Sequence, residues 1–207
     1  MTIVSRLATS LHRKDEEPNV LLAQLIVEEG DKADVQELID NLRHKDKGIQ
    51  SDCIKVLYEI GMLKPTFLVE HVQTFVDLLT NKNNRLVWGA MTALDAIASA
   101  DPQAVYEALP SIMNTANTGS VITRDHGVSI LIKLYSVERY TDQIFPHLIK
   151  QLESCPTNQL PMYAENAMPV IHDRDRALFV ETLLSRLIEI EKDSKRKRVE
   201  KVIKKLS

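Results

Sequence analysis

Five groups of residues in this 207-residue chain are of types that carry chemistry, and each must satisfy a geometric condition. Asp125-His126 joins a carboxylate to an imidazole, the pairing used in general acid–base catalysis. Successive helical side chains diverge by about 100°, so this pair does not read as a dyad. An Asp at a helix N-terminus is commonly a dipole partner instead. His172-Asp173-Arg174-Asp175 is a second charged cluster, in which Asp173 or Asp175 is expected to cap the following helix. The six histidines (His12, His44, His71, His126, His147 and His172) never fall four apart, and no HExxH, CxxC, GxSxG or glycine-rich phosphate loop occurs. Nothing therefore points to a metal, a cofactor or a catalytic residue. Cys53 and Cys155 are too few for a disulfide framework or a four-thiolate zinc site. Cys53 reads as a small buried residue, and Cys155, in a turn before Pro156, as an exposed one.

The fifth group is basic. Lys192–Lys205 contains eight Lys and Arg against Asp193 and Glu200, a local +6 that leaves −9 on the rest of a chain whose net charge is −3. Val199, Val202, Ile203 and Leu206 keep a helical apolar stripe there, so Lys195, Arg196, Lys197, Arg198 and Lys201 sit on a basic amphipathic helix. It reads first as the polar exterior of a terminal repeat, and alternatively as a patch for nucleic-acid phosphate or an acidic partner. The acidic remainder argues against a nucleic-acid groove running the length of the chain.

These residues need a scaffold, and composition narrows what it is. At 44% hydrophobic and 27% charged residues the chain is an ordinary globular sequence. The longest nearly unbroken apolar run, Val20–Val27, is far short of a bilayer span, and the first residues lack the pattern of a secretory signal. The expected compartment is the cytoplasm, without a membrane partner. Apolar residues recur every three or four positions between short stop signals, which predicts helices near 3–13, 18–29, 32–44, 48–62, 66–80, 85–99, 103–116, 121–136, 141–153, 159–172, 175–191 and 194–206. The fold class is all-α.

A shift of 37 residues brings the second helix of each successive pair into columns. Leu57 falls on Leu94, Leu131 and Met168; Ile60 on Ile97, Leu134 and Ile171. Cys53 falls on Ala90, Gly127 and Ala164, a column that stays small, as a repeated close helix crossing requires. The first helices repeat more loosely, Val72, Phe75 and Val76 falling on Leu109, Ile112 and Met113, and a shift of 35 carries Leu148, Ile149 and Leu152 onto Leu183, Leu184 and Leu187. Helical pairs sharing one apolar seam stack into a solenoid, here of about five to six hairpins.

The segment Arg85–Ala98 resembles the second helix of a HEAT repeat, and Pro110 and Pro146 lie where that family kinks its first helix. The resemblance implies a right-handed α-α superhelix as a single repeat domain over residues 1–207: capping helices at 1–30, core repeats at 31–191 and the basic capping helix at 192–207. It also implies a concave wall made by the second helices. On that wall the 37-residue step places Ser51, Trp88 and Asp125 in one column, Asp52, His126 and Tyr163 in its neighbour, and Lys55, Thr92, Ser129 and Asn166 a turn further on. These positions vary in type from unit to unit, as suits an irregular partner. Trp88, the single tryptophan, either anchors that partner or covers the adjacent hairpin.

The resulting expectation is a non-enzymatic protein-interaction scaffold. A second reading comes from bacterial alkylpurine-DNA glycosylases, which are built of HEAT-like repeats and which this chain resembles in size. That resemblance implies DNA binding through Trp88, Asp125 and Arg124.

Overall fold

The computed structural model describes residues 2–30 and 32–207, and among these residues it is helical with no strand. Helix α1 spans Glu17–Glu29, with Pro18 in its first turn and Gly30, at φ 74°, closing it in the left-handed region that glycine enters without strain. Then come α2 (Lys32–Asp40), α3 (Lys47–Leu63), α4 (Val72–Leu78), α5 (Asn84–Ile97), α6 (Pro102–Glu107) and α7 (Leu109–Thr118). Side-chain caps start three of them: Asp46 accepts from Gly48 N at 2.7 Å, Asn83 from Arg85 N at 3.1 Å and Asp101 from Ala104 N at 3.1 Å. Helix α8 (Val121–Tyr135) is followed by α9 (Thr141–Ser154), α10 (Leu160–Ala167), α11 (Arg176–Arg186) and α12 (Asp193–Leu206). No described helix is long and apolar enough to cross a membrane.

The chain gathers into two compact units, Met1–His126 and Gly127–Ser207, and the division falls inside α8. In the first unit α1 packs on α3 and α3 on α5, while α2 packs on α3 and α4 on α5. In the second unit α10 packs on α12 and α9 on α11. The repeat columns form the core: Leu57, Leu94, Leu131, Ile60, Ile97, Leu134 and Ile171 are all buried, as are Cys53, Ala90 and Ala164. Each buried leucine or isoleucine contributes roughly 1.5–3 kcal/mol. Met168 is half-buried and is the exception. At Gly89 a Cβ would sit 2.3 Å from Ile54 Cγ1, so α3 and α5 meet at van der Waals contact only because a side chain is missing.

Several expected features differ. The segment 3–13 is a short 3-10 turn, Ile3–Arg6, followed by irregular turns, because side chains take its backbone donors: Ile3 N–H bonds Glu37, Ala8 N–H bonds Asn19 and Thr9 N–H bonds Asp52. The helix expected at 103–116 breaks at Ala108, where Pro110 has no N–H to offer and starts α7; Pro146 does lie inside α9. Leu184, aligned with the buried Ile149, is 51% exposed. Cys155 is buried at 1% exposure, because the chain after α9 turns inward and Arg186 reaches its carbonyl. Asp175 stands at the α11 N-terminus but its carboxylate accepts the Tyr135 hydroxyl at 2.6 Å, and Asp173 pairs with Arg176, so neither caps the helix with its side chain.

Candidate functional site

Two helices of the first unit present matching faces. Ser51, Lys55 and Tyr58 lie at i, i+4 and i+7 on α3, and Arg85, Trp88 and Thr92 at i, i+3 and i+7 on α5, so each set shares one side of its helix. Together they line a pocket of about 320 Å³, which Glu16 borders from the α1 end and Ile122 from the first turn of α8. Gly89 and Ile54 form its floor, the same close contact that sets the spacing of α3 and α5.

Its charges are mostly matched. Lys55 Nζ lies 3.0 Å from Glu16 Oε2 and 2.6 Å from Glu59 Oε1, and 4.8 Å from the centre of the Tyr58 ring. Burial pulls the Lys55 ammonium down, but its bonds to Glu59, Tyr58 and Glu16 outweigh this and hold its pKa above the ordinary lysine value. Burial pushes the Tyr58 phenol up, against the pull of Lys55. Arg85 is different: its side chain is 66% exposed and its one ion-pair contact among the described residues is Glu16 at 3.9 Å. The pocket thus offers two aromatic walls, a neutralised interior and one outward guanidinium.

A row of side chains crosses the α5 side of the pocket. Asp95 Oδ2 lies 2.9 Å from His126 Nδ1, and His126 Nε2 lies 3.0 Å from Thr92 Oγ1, which also donates to the Trp88 carbonyl at 2.9 Å. These are the distances of a nucleophile, base and orienting acid. Thr92, however, sits mid-helix, where neighbouring backbone N–H groups serve the helical ladder rather than a developing oxyanion. The row therefore fastens the second turn of α8 to α5. His126 finds its carboxylate in Asp95, not in the adjacent Asp125, and Asp95 carried no local sequence signal because its partner lies 31 residues away.

The expected ridge is only partly assembled. Ser51, Lys55, Trp88 and Thr92 line the pocket, with Trp88 half-buried as one wall. Asp52 is committed elsewhere: its carboxylate accepts from Thr9 N–H at 2.7 Å and from the buried Asn19 amide at 2.8 Å. It pins the N-terminal segment and is a structural residue. Arg124, Asp125 and His126 occupy the early turns of α8 and line no part of the pocket. Ser129, Tyr163 and Asn166 belong to the second unit; Tyr163 is 1% exposed and so is core, not wall. Tyr58, Arg85 and Glu16 join the pocket without being expected ridge residues. Tyr58 and Arg85 share the helical spacing of Lys55 and Trp88, a signal available from periodicity, whereas Glu16 arrives from a turn. Among the described residues no group of three His, Cys, Asp or Glu is placed to hold a metal ion.

Comparisons with known proteins agree with the architecture. Residues 19–168 match the family described as sister chromatid cohesion protein PDS5. No curated protein sequence matches the chain. A computationally designed armadillo repeat protein for modular peptide recognition is similar in structure, with TM-score 0.69 and 15% identity over 99% of this chain and 98% of that one. A designed armadillo repeat protein in complex with the peptide (KR)4 gives TM-score 0.67 and 16% identity over 90% and 86%. A crystal structure of an engineered protein gives 0.61 and 20% identity over 100% and 98%. The fold is an all-α helical repeat of the HEAT/armadillo kind.

Proposed function

The chain belongs to the PDS5 family of sister chromatid cohesion proteins, and from that premise we propose that it is a non-enzymatic interaction module that seats a peptide segment of a protein partner in the α3–α5 pocket. The observation that carries this reading is the placement of Tyr58 and Trp88 on facing helices beside the exposed Arg85. Aromatic side chains and arginine are the residues most enriched at energetically dominant contact points. The matched Glu16–Lys55–Glu59 set lets an apolar side chain enter without leaving a buried charge unpaired, and Arg85 is left to take a carboxylate at the rim. The designed armadillo repeat proteins for peptide recognition that share the fold support the same use of it.

The test is selection of binding peptides from a displayed random library on the full chain, followed by affinity measurement on purified peptides. Sequences with an apolar residue near Asp or Glu are expected to dominate. The double variant Trp88→Ala, Arg85→Glu is expected to weaken them at least about 30-fold, the scale of two interface anchors. Selected peptides that bind this variant with undiminished affinity would remove the pocket from the account.

A further inference from the structure

We propose that the outward face of α12 binds the phosphate backbone of duplex DNA. Val199 and Val202 are 0% and 2% exposed, which fixes how the helix is rolled onto the second unit. At 100° per residue, Lys197, Lys201 and Lys204 then lie on the opposite side with Lys205 beside them, and all four are exposed.

The other basic side chains of the helix are occupied. Lys195 binds Asn158 Oδ1 at 2.5 Å, Arg196 holds Asp193 and the Ile190 carbonyl, and Arg198 grips both Glu165 oxygens at 2.8 and 2.5 Å. The four lysines of that face make no hydrogen bond or ion pair among the described residues, and only Lys201 has a carboxylate, Glu165, near it. Lys201 and Lys205 also line, with Arg198 and Glu165, a cleft of about 160 Å³ beside Met168 and Val202 on the flank of the helix.

Three features select the partner. Lysine is depleted where proteins meet proteins, and this face lacks the aromatic or large apolar anchor such contacts use. No aromatic residue occurs between Lys192 and Ser207, so there is no platform on which unpaired bases could stack. Of the apolar stripe that would enter a lipid surface, Val199 and Val202 are already buried in the fold and Ile203 and Leu206 are half-buried. What remains is a row of ammonium groups about 12 Å long, at 1.5 Å per residue, facing a polymer with regularly spaced phosphates. The −9 on the rest of the chain confines contact to this face.

Fluorescence anisotropy of a labelled duplex of about 20 base pairs with the full chain tests this. Four phosphate contacts give a slope of log K against log salt of about −3.6, so affinity should fall about 100-fold between roughly 50 and 200 mM salt. Lys→Gln at 197, 201, 204 and 205 together should abolish most of that binding and flatten the slope, with the circular dichroism spectrum and melting temperature unchanged. The Trp88→Ala, Arg85→Glu variant should bind the duplex as the parent does, so this proposal and the peptide pocket fail separately. Absence of binding near 50 mM salt, undiminished binding by the fourfold variant, tighter binding of single-stranded DNA, or stronger competition by polyglutamate than by duplex would each overturn it.

Discussion

The Cys53 thiol shows how strongly single positions in the helical stack are constrained. Burial, reinforced by Asp52 and Glu37, pushes its pKa up to about 12 from 9. The unfolded chain releases that proton near pH 9 while the folded chain keeps it, so stability is unaffected below pH 9 and declines as pH rises from 9 toward 12. Tyr135, also pushed up to about 12 by burial and its bond to Asp175, adds to the decline above pH 10. Each group contributes roughly 1.4 kcal/mol per pH unit in its window. Urea midpoints should therefore be flat between about pH 7 and 8.5 and drop clearly by about pH 10.5; a flat profile throughout would contradict the burial of these groups. Cys53 was legible in the sequence because it falls in a column that is small in every unit. Cys155 was not, since a turn before proline says nothing about the side chain that will cover it. Asp52 looked like wall for the same reason: its partners, Thr9 and Asn19, come from a segment 33 to 43 residues away.

At the scale of elements, helix ends decide how neighbouring helices are joined. Helix α9 ends at Ser154 with its last carbonyls turned toward Arg186 of α11, which donates to the carbonyls of Leu152 at 2.6 Å, Glu153 at 2.5 Å and Cys155 at 3.0 Å. A buried guanidinium supplies donors that a helix C-terminus otherwise lacks, and its charge suits the negative end of the dipole. Arg186→Met keeps the volume but leaves these acceptors bare, and should lower stability by about 2–4 kcal/mol. Arg198→Met, which removes a largely solvent-exposed pair with Glu165, should cost less than about 1 kcal/mol by the same denaturant titration. Equal losses would show that Arg186 is not acting as a cap. Helix existence and the small-residue columns were readable from apolar spacing, because second helices face the same neighbours in each unit. Breaks were less so: Pro110 marks the start of α7 after a break at Ala108, while Pro146, one repeat on, is accommodated within α9.

For the whole molecule, a helical repeat exposes continuous side-chain surfaces along its stack, and the proposed peptide site is one of them. The sequence carried the helical repeat, and with it half of the pocket. It did not carry the pocket's closure by Glu16 or the removal of Tyr163 to the core, which depend on how turns and second-unit helices settle. Trp88 is the chain's single tryptophan and forms a wall of the proposed peptide site, so its fluorescence reports on that site alone. Titration of a selected peptide into the full chain should shift the Trp88 emission to shorter wavelength, half-saturating at the dissociation constant measured independently. A peptide that binds with that constant while leaving the emission unchanged would place the interaction elsewhere and contradict the account.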